Sequence, residues 1–329
     1  MRALRSVPSL TQQLRAGAQV DTSEAQLGGA DLSGLDLSGR DFRDADLRSA
    51  NLAGATLMGA DLRGAVLSGA NLSGAELAGA DLRGAQLENA NAAQAGFGRA
   101  KVDEAVFFGA DLTDASFVEA SAEGADFRAV TAPGARFCSA SLADANFSRA
   151  NLRGADLEGA DVHRAVFLHA DLCRSRLRGL SRFRDASFLS ADVRDVDFSG
   201  AYLLRRHILD SNYLDEFRRQ SRMHRVIYAV WWATSDCGRS MGRWALLTLM
   251  ITFLFGAAYS VSEIDFGGHP TSLSPWYFSV VTLTTLGYGD VLPASVGAQL
   301  LVMAQVAMGY FMLGGLLSIF AAKMARRGE

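Results

Sequence analysis

The strongest constraint on the fold is a five-residue period that runs through the first two thirds of the sequence. From Leu27 to Leu177, almost every fifth residue is apolar, and a small residue, usually Ala, stands two positions before it. Neither the 3.6-residue repeat of a helix nor the two-residue alternation of a strand buries this pattern. A chain that turns a corner every five residues does bury it. One additional residue after Leu177 shifts the phase, and the row is then expected to continue at Phe183, Phe188, Val193, Phe198 and Leu203.

Side-chain sizes indicate that four such segments make one coil, so that residues 20 apart lie above one another. Large rings recur at this spacing in two series, which are Phe107, Phe127, Phe147 and Phe167, and Phe97, Phe117 and Phe137. Other central positions are small, as a core of fixed volume requires, at Ala92, Ala122 and Ala132. We therefore interpret these phenylalanines as core and not as a ligand site. At about 4.8 Å per coil, about nine coils give a column on the order of 43 Å long.

The repeated pattern, written A(D/N)LXX, resembles the pentapeptide-repeat family over about residues 25–204. The resemblance implies a right-handed β-helix of square cross-section, which we assign to residues 21–204, with residues 1–20 as an N-terminal cap segment. Some members of that family mimic DNA and act on topoisomerases. Here acidic residues outnumber basic ones in the repeats, but interspersed arginines dilute any phosphate-like stripe. A solvated spacer or docking module is the favoured interpretation, and no nucleic-acid partner is expected.

The N-terminal segment and the cysteines indicate that the repeat domain stays in the cytoplasm. Residues 1–19 lack the apolar core of a secretion signal. The cysteines Cys138, Cys173 and Cys237 are far apart, so neither a disulfide framework nor a metal site is expected. Cys138 and Cys173 each follow a central position of the repeat, which places them on the outer surface of the column.

Residues 205–243 lose the five-residue period and are predicted to form an amphipathic linker helix. An apolar stripe that includes Leu209, Phe217 and Trp231 runs beside several arginines, as is typical of a helix on a membrane surface. Ser235 or Asp236 is expected to cap a helix, and Gly238 is expected to interrupt it. Two interpretations remain open, a lever between the column and the C-terminal domain, and a plain connector with basic anchors.

Two uncharged segments within residues 244–329 are long enough to cross a bilayer. They run from Trp244 to Val261 and from Val296 to Ala322. Basic residues stand before the first segment and after the second, while Glu263 follows the first. The excess of basic residues on the cytoplasmic side of membrane proteins then predicts a multi-pass protein of an inner (plasma) membrane with both termini in the cytoplasm.

Between the two segments, residues 274–290 read SPWYFSVVTLTTLGYGD. Ser274 and Pro275 look like a helix start, and the following apolar stretch is too short to span, which predicts a re-entrant helix. The sequence from Thr285 to Asp290, TLGYGD, resembles the selectivity filter of potassium channels. With a span on each side, residues 244–322 resemble the two-transmembrane ion-channel family.

This resemblance implies roles for individual residues. The filter would comprise Thr285, Leu286, Gly287, Tyr288, Gly289 and Asp290, with K⁺ bound by the carbonyl groups of Thr285, Leu286, Gly287 and Tyr288. Tyr277 and Phe278 would support the filter, in place of two tryptophans found in many members, and Gly309 would be the gating hinge of the inner helix. One chain supplies a quarter of such a ring of carbonyl groups, so a homotetramer in the lipid bilayer is expected.

The sequence thus predicts a potassium-selective channel whose cytoplasmic columns position or regulate it, in response to a cytoplasmic regulator if there is one. K⁺ would be the permeant ion, with no organic cofactor, and no catalytic site is expected because no nucleophile, carboxylate pair or metal cluster stands out. Two alternatives are kept, a membrane-anchored repeat protein of the DNA-mimic type that binds or scaffolds another protein, and a non-selective cation channel.

Overall fold

The computed structural model describes residues 7–18, 20–268, 271–284, 286 and 291–325. The chain divides into two compact units, Met1–Asp215 and Glu216–Glu329. We describe each unit by itself.

The first unit is a β-helix whose coils contain 20 residues. At every fifth residue a parallel bridge joins the chain to the residue 20 positions later, beginning with Gln26 and Asp46 and continuing to Asp161 and Ser181. The Leu27 N–H donates to the Asp46 carbonyl at 2.7 Å, and the Asp46 N–H donates to the Ala25 carbonyl at 2.9 Å. Each coil therefore satisfies the main-chain groups of its neighbours, as the strands of a sheet do.

The interior of the column is filled by the two predicted rows. The central Leu and Phe residues and the preceding alanines are fully buried. Phe97 stacks on Phe117 with ring centroids 4.6 Å apart, and Phe107 stacks on Phe127 at 4.9 Å. The two stacks meet edge to face, as Phe97 and Phe107 do at 5.9 Å. The aromatic columns predicted from the 20-residue spacing are therefore confirmed.

Each side of the coil ends in a residue with left-handed backbone geometry. Gly29 has a φ of 68°, and the equivalent positions in many other repeats are glycine as well. Where the residue is not glycine, as at Asp44 with a φ of 54°, it is most often a polar residue. Because glycine adopts this geometry without steric cost, the corners explain much of the high glycine content.

The additional residue after Leu177 is accommodated in a short 3₁₀-helix, Phe183–Asp185. The bridges beyond it join positions 21 apart, as in Val166 with Ser187. Phe183 is only partly buried in this turn, and the buried row resumes at Phe188. Leu203 is 56% exposed because a helix has already replaced the coil. The predicted central position at Leu203 was therefore wrong, while Phe183 packs against the core but is only partly buried.

Helices pack on the first and last coils. Helix α1, Val7–Arg15, buries Leu10 and Leu14 against the core, and its Arg15 side chain pairs with Asp31 at 2.5 Å. Helix α2, Tyr202–Gln220, buries Leu204 and Ile208 in the same core. The apolar ends of the column are thereby removed from water.

In its described residues, the second unit contains helices and one short strand pair. Its elements after the end of α2 are α3 (Arg222–Ser235), α4 (Met241–Ser260), β1 (Ile264–Asp265), α5 (Ser274–Leu283), β2 (Leu292–Pro293) and α6 (Val296–Ala325). The predicted linker is thus two helices, α2 and α3, which are separated at Ser221; its side chain accepts a hydrogen bond from the His224 N–H. Asp236 ends α3 in left-handed geometry, followed by Cys237 and Gly238 in the same region.

Helices α4 and α6 correspond to the predicted spans. Met241–Ser260 and Val296–Ala321 are long and apolar enough to cross a membrane, and few of their side chains are buried within the chain. They contact each other through Trp244, whose Nε1 donates to the Met312 carbonyl at 3.0 Å. A Cβ at Gly315 would lie 2.1 Å from the Trp244 ring, so the glycine permits this contact.

Candidate functional site

The centre of the second unit is the short helix α5, which packs between the two long helices. Pro275 lies in its first turn, where a proline removes no needed N–H, and the Ser274 hydroxyl accepts a hydrogen bond from the Thr271 N–H at 2.8 Å. Most of its side chains are buried, including Phe278, Ser279 and Val281. With ten residues, α5 is about half the length that a spanning helix needs.

Two glycines on the long helices let α5 approach closely. A Cβ on Gly256 of α4 would lie 2.4 Å from the Trp276 ring. A Cβ on Gly309 of α6 would lie 2.3 Å from the carbonyl oxygen of Leu283, the last residue of α5. Both distances are too short for real carbon atoms, so each position requires glycine for packing. This gives Gly309 a structural role independent of its predicted role as a hinge.

A buried polar cluster connects all three helices. The Tyr259 hydroxyl of α4 donates to Gln305 Oε1 of α6 at 2.5 Å. Gln305 Nε2 donates to the carbonyl oxygen and to the Oγ of Ser279 in α5, at 2.9 and 2.7 Å. Ser279 Oγ donates in turn to the Thr252 carbonyl of α4 at 2.7 Å. Tyr259, Ser279 and Gln305 are completely buried.

The C-terminal end of α5 creates a site that favours cations. The last carbonyl groups of a helix lack partners within it and carry about half a negative charge together. In α5 this end is reached at Leu283, and residue 285 begins the predicted filter. A cation close to this end of α5 would therefore experience an attractive field from the helix.

A strand pair joins the chain on both sides of this helix. Ile264 of β1 pairs with Pro293 of β2, and Asp265 pairs with Leu292, in antiparallel register. The Ala294 N–H donates to the Glu263 carbonyl at 2.9 Å. The segment that follows α4 is thus held beside the segment that precedes α6.

Most of the predicted filter falls outside the described residues, namely Thr285, Gly287, Tyr288, Gly289 and Asp290. Leu286 is described, with a largely exposed side chain and an N–H that donates to the Val281 carbonyl at 3.1 Å. Of the predicted supporting residues, Tyr277 is exposed on α5. Phe278 is buried, with its ring centroid 5.0 Å from that of Tyr259 and 6.2 Å from that of Phe266.

The sequence reasoning missed the polar cluster. A glutamine in the middle of an uncharged span is a signal that could have indicated it, because a polar side chain in a membrane helix usually has a partner. Its partners Ser279 and Tyr259 could not have been identified from spacing, since they lie 26 and 46 residues away.

Cys173 also differs from its predicted position, because it is buried and not on the outer surface. Its Sγ and the carboxylates of Asp171 and Asp192 lie within 4.8 Å of one another. Burial raises the pKa of the Cys173 thiol. Arg153 and Arg194 pair with the two carboxylates at 3.1 and 2.6 Å, so arginines already balance the negative charges.

Arginines also balance carboxylates along the outside of the column. Arg43 pairs with Asp41 two residues before it at 2.5 Å, and Arg63 pairs in the same way with Asp61 at 2.6 Å. The Arg43 guanidinium lowers the pKa of Asp41 from its ordinary 3.8 to about 2. The same pairing recurs at Asp46, Asp81, Asp126 and Asp192, each with the arginine two residues later. This arrangement counts against a continuous negative stripe that imitates DNA phosphates.

Comparison with known families agrees with the two units. Pentapeptide repeats match in eight copies, over residues 25–64, 57–92, 94–128, 105–142 and 140–179. The ion channel family matches residues 247–326, which include α5, α6 and most of α4. Neither is a family of enzymes.

Two curated relatives are similar to the second unit. Two-pore potassium channel 1 of Arabidopsis thaliana is 42% identical over 85 residues, which are 25% of this chain and 23% of the relative. Two-pore potassium channel 4 of the same plant is 35% identical over 77 residues, 22% of this chain and 27% of the relative. The chain thus spans about a quarter of the length of these relatives.

Solved structures similar to the chain are pentapeptide-repeat proteins. HetL from Nostoc sp. strain PCC 7120 is 27% identical and covers 60% of this chain and 96% of its own, with a TM-score of 0.38. QnrB1, a plasmid-mediated fluoroquinolone resistance protein, is 20% identical and covers 54% of this chain and 90% of its own, with a TM-score of 0.30. The assignment of the repeats rests on the family match and the 20-residue ladder, not on these superpositions. The chain is therefore a membrane protein that consists of a pentapeptide-repeat domain followed by an ion channel domain.

Proposed function

We propose that four copies of this chain form a potassium-selective channel. The observation that carries the proposal is helix α5, which is too short to span, packs on both candidate spans and ends one residue before the sequence TLGYGD. The re-entrant path of α5 in the bilayer is part of this proposal. The similarity to potassium channels of plants supports the choice of ion.

The chemistry of permeation follows from main-chain oxygens. A potassium ion that enters the filter loses its water, and carbonyl groups of residues 285–288 from four chains replace that water. Gly287 and Gly289 allow successive carbonyl groups to face one axis, because glycine tolerates backbone angles that other residues resist. The negative ends of four α5 helices add a favourable potential at the same axis.

The orientation in the membrane is also proposed from charge. Arg239 precedes α4 and Arg243 lies in its first turn, while Glu263 and Asp265 follow the helix. Basic flanks are retained in the cytoplasm, which places both termini and the column there and the β1–β2 pair outside. We place the channel in a plasma (inner) membrane and its column, proposed to be right-handed, on the cytoplasmic side.

The proposal is tested with purified protein in liposomes loaded with potassium. We expect potassium efflux from the wild type and its loss in Gly287→Ala, because the added methyl group restricts the filter backbone. Gly268→Ala is the matched control, since no described atom lies within 4 Å of its Cβ position. Efflux that persists in Gly287→Ala would contradict the assignment of the filter.

The column is proposed to position or regulate the channel. A chain that lacks residues 1–204 keeps the whole ion channel domain. We expect its currents to keep potassium selectivity while the fraction of time spent open changes. Single-channel currents identical to those of the full chain would show that the column has no regulatory role. Binding of the column to a DNA-associated enzyme, with the phenotype unchanged in Gly287→Ala, would favour the scaffold alternative.

A further inference from the structure

Gln305 is placed unusually for a residue in the middle of an apolar helix. Its side chain is completely buried in α6, and every hydrogen-bonding group of its amide has a partner. The amide oxygen accepts from Tyr259, and the two amide hydrogens are donated to the carbonyl oxygen and hydroxyl of Ser279. A buried amide that loses such partners is strongly disfavoured, so this arrangement specifies one position of α6 relative to α5.

A second contact lies one helical turn further along both helices. Leu283 is four residues after Ser279, and Gly309 is four residues after Gln305. A Cβ on Gly309 would lie only 2.3 Å from the carbonyl oxygen of Leu283. Two contacts separated by one turn on each helix restrict both sliding and rotation of α5 against α6.

The cluster also connects α5 to the first long helix. Ser279 Oγ donates to the Thr252 carbonyl, and Tyr259 lies two turns later on the same face of α4. The short helix is thus hydrogen bonded to α4 directly and to Tyr259 of α4 through Gln305. Only Thr284 separates its last residue, Leu283, from residue 285.

We propose that Gln305 is a positioning residue for ion selection, which holds α5 and the following filter segment in place through its hydrogen bonds to Ser279 and Tyr259. This inference rests on the proposed potassium-channel function. It assigns to a glutamine outside the filter an effect on which ion passes.

The test compares Gln305→Leu with Gln299→Leu, a glutamine exposed on the same helix. We expect Gln305→Leu to assemble and conduct, but to lose selectivity, with the permeability ratio of potassium to sodium lowered about tenfold, since three hydrogen bonds between uncharged groups are removed from a buried site. Gln299→Leu should keep the wild-type ratio. Reversal potentials in planar bilayers with potassium on one side and sodium on the other give this ratio.

A second variant separates positioning from general stability. Tyr259→Phe removes one hydroxyl and keeps the ring, with Tyr310→Phe on the exposed face of α6 as its control. We expect Tyr259→Phe to lower the permeability ratio of potassium to sodium as well, but by less than Gln305→Leu does. If Gln305→Leu does not assemble, the ratio measured for Tyr259→Phe is the test of the inference. If Gln305→Leu assembles, an unchanged permeability ratio together with a lower melting temperature would overturn the inference. If it does not assemble, the same result in Tyr259→Phe would overturn it. A wild type that does not select potassium would instead refute the proposed function.

Discussion

Gly309 shows how one residue can combine packing with a predicted role in motion. Its Cα lies against the Leu283 carbonyl, whereas Gly314, on the same helix, has no described atom within 4 Å of its Cβ position. Glycines in membrane helices commonly permit close contact. The position of Gly309 therefore requires glycine even if the helix never bends there, and its role as a gating hinge stays a prediction.

We predict that Gly309→Ala destabilises the ion channel domain by about 1–3 kcal/mol, because the methyl group has no space beside α5. Gly314→Ala should have little effect. The four tryptophans, Trp231, Trp232, Trp244 and Trp276, all lie in the second unit, so thermal unfolding followed by their fluorescence reports on this domain. Equal melting temperatures for the two variants would show that the close contact does not limit stability.

Acid is predicted to weaken the column only below about pH 4. The Arg43 hydrogen bond lowers the folded-state pKa of Asp41 from 3.8 to about 2. A carboxylate with a lowered pKa stabilises the fold above its unfolded pKa, and this contribution disappears as the pH falls through the folded value. Thermal unfolding of the full chain, followed by far-UV circular dichroism, should therefore show a loss of thermal stability between about pH 4 and pH 2. Asp41→Asn should make that loss less steep, and an identical profile would contradict the account.

At the scale of elements, the five-residue period was sufficient to predict the coil, its inward rows and the stacked aromatic columns. It could not predict where the coil ends. Phe183 and Leu203 both fit the shifted phase of the repeat. In the structure, however, Phe183 lies in the 3₁₀-helix and Leu203 lies in α2. Apolar residues at the end of a repeat also satisfy a helical pattern, and packing against the last coil decides between the two.

Two neighbouring phenylalanines test the core of the column. Phe107 is fully buried in the aromatic stack, and Phe108, the next residue, is 43% exposed beneath Arg128. We predict that Phe107→Ala destabilises the column by about 3–5 kcal/mol through the cavity that it leaves. Phe108→Ala should cost about 0.5–1 kcal/mol, the value of an exposed cation–π contact. Hydrogen–deuterium exchange of peptides from residues 22–200 measures the stability of the column in both variants. Similar protection in the two variants would contradict the assignment of Phe107 to the buried row.

Across the whole molecule, local sequence signals were sufficient to identify the helices and the repeats, whereas contacts between residues far apart in the sequence could not be predicted. The two spans and the short helix could be predicted because each depends on a continuous segment, whereas the filter stays a prediction. The cluster of Gln305, Ser279 and Tyr259 could not, since its members come from three helices. The same holds for Cys173, whose burial depends on the coils above and below it and not on its place in the repeat.

The central claim is that carbonyl groups from four identical chains select potassium. The most direct test is the reversal potential of the purified wild-type protein in a planar bilayer with potassium on one side and sodium on the other. We expect a potential far from zero, in the direction that potassium permeation sets. A potential near zero would identify a pore that does not distinguish the two cations and would contradict the account.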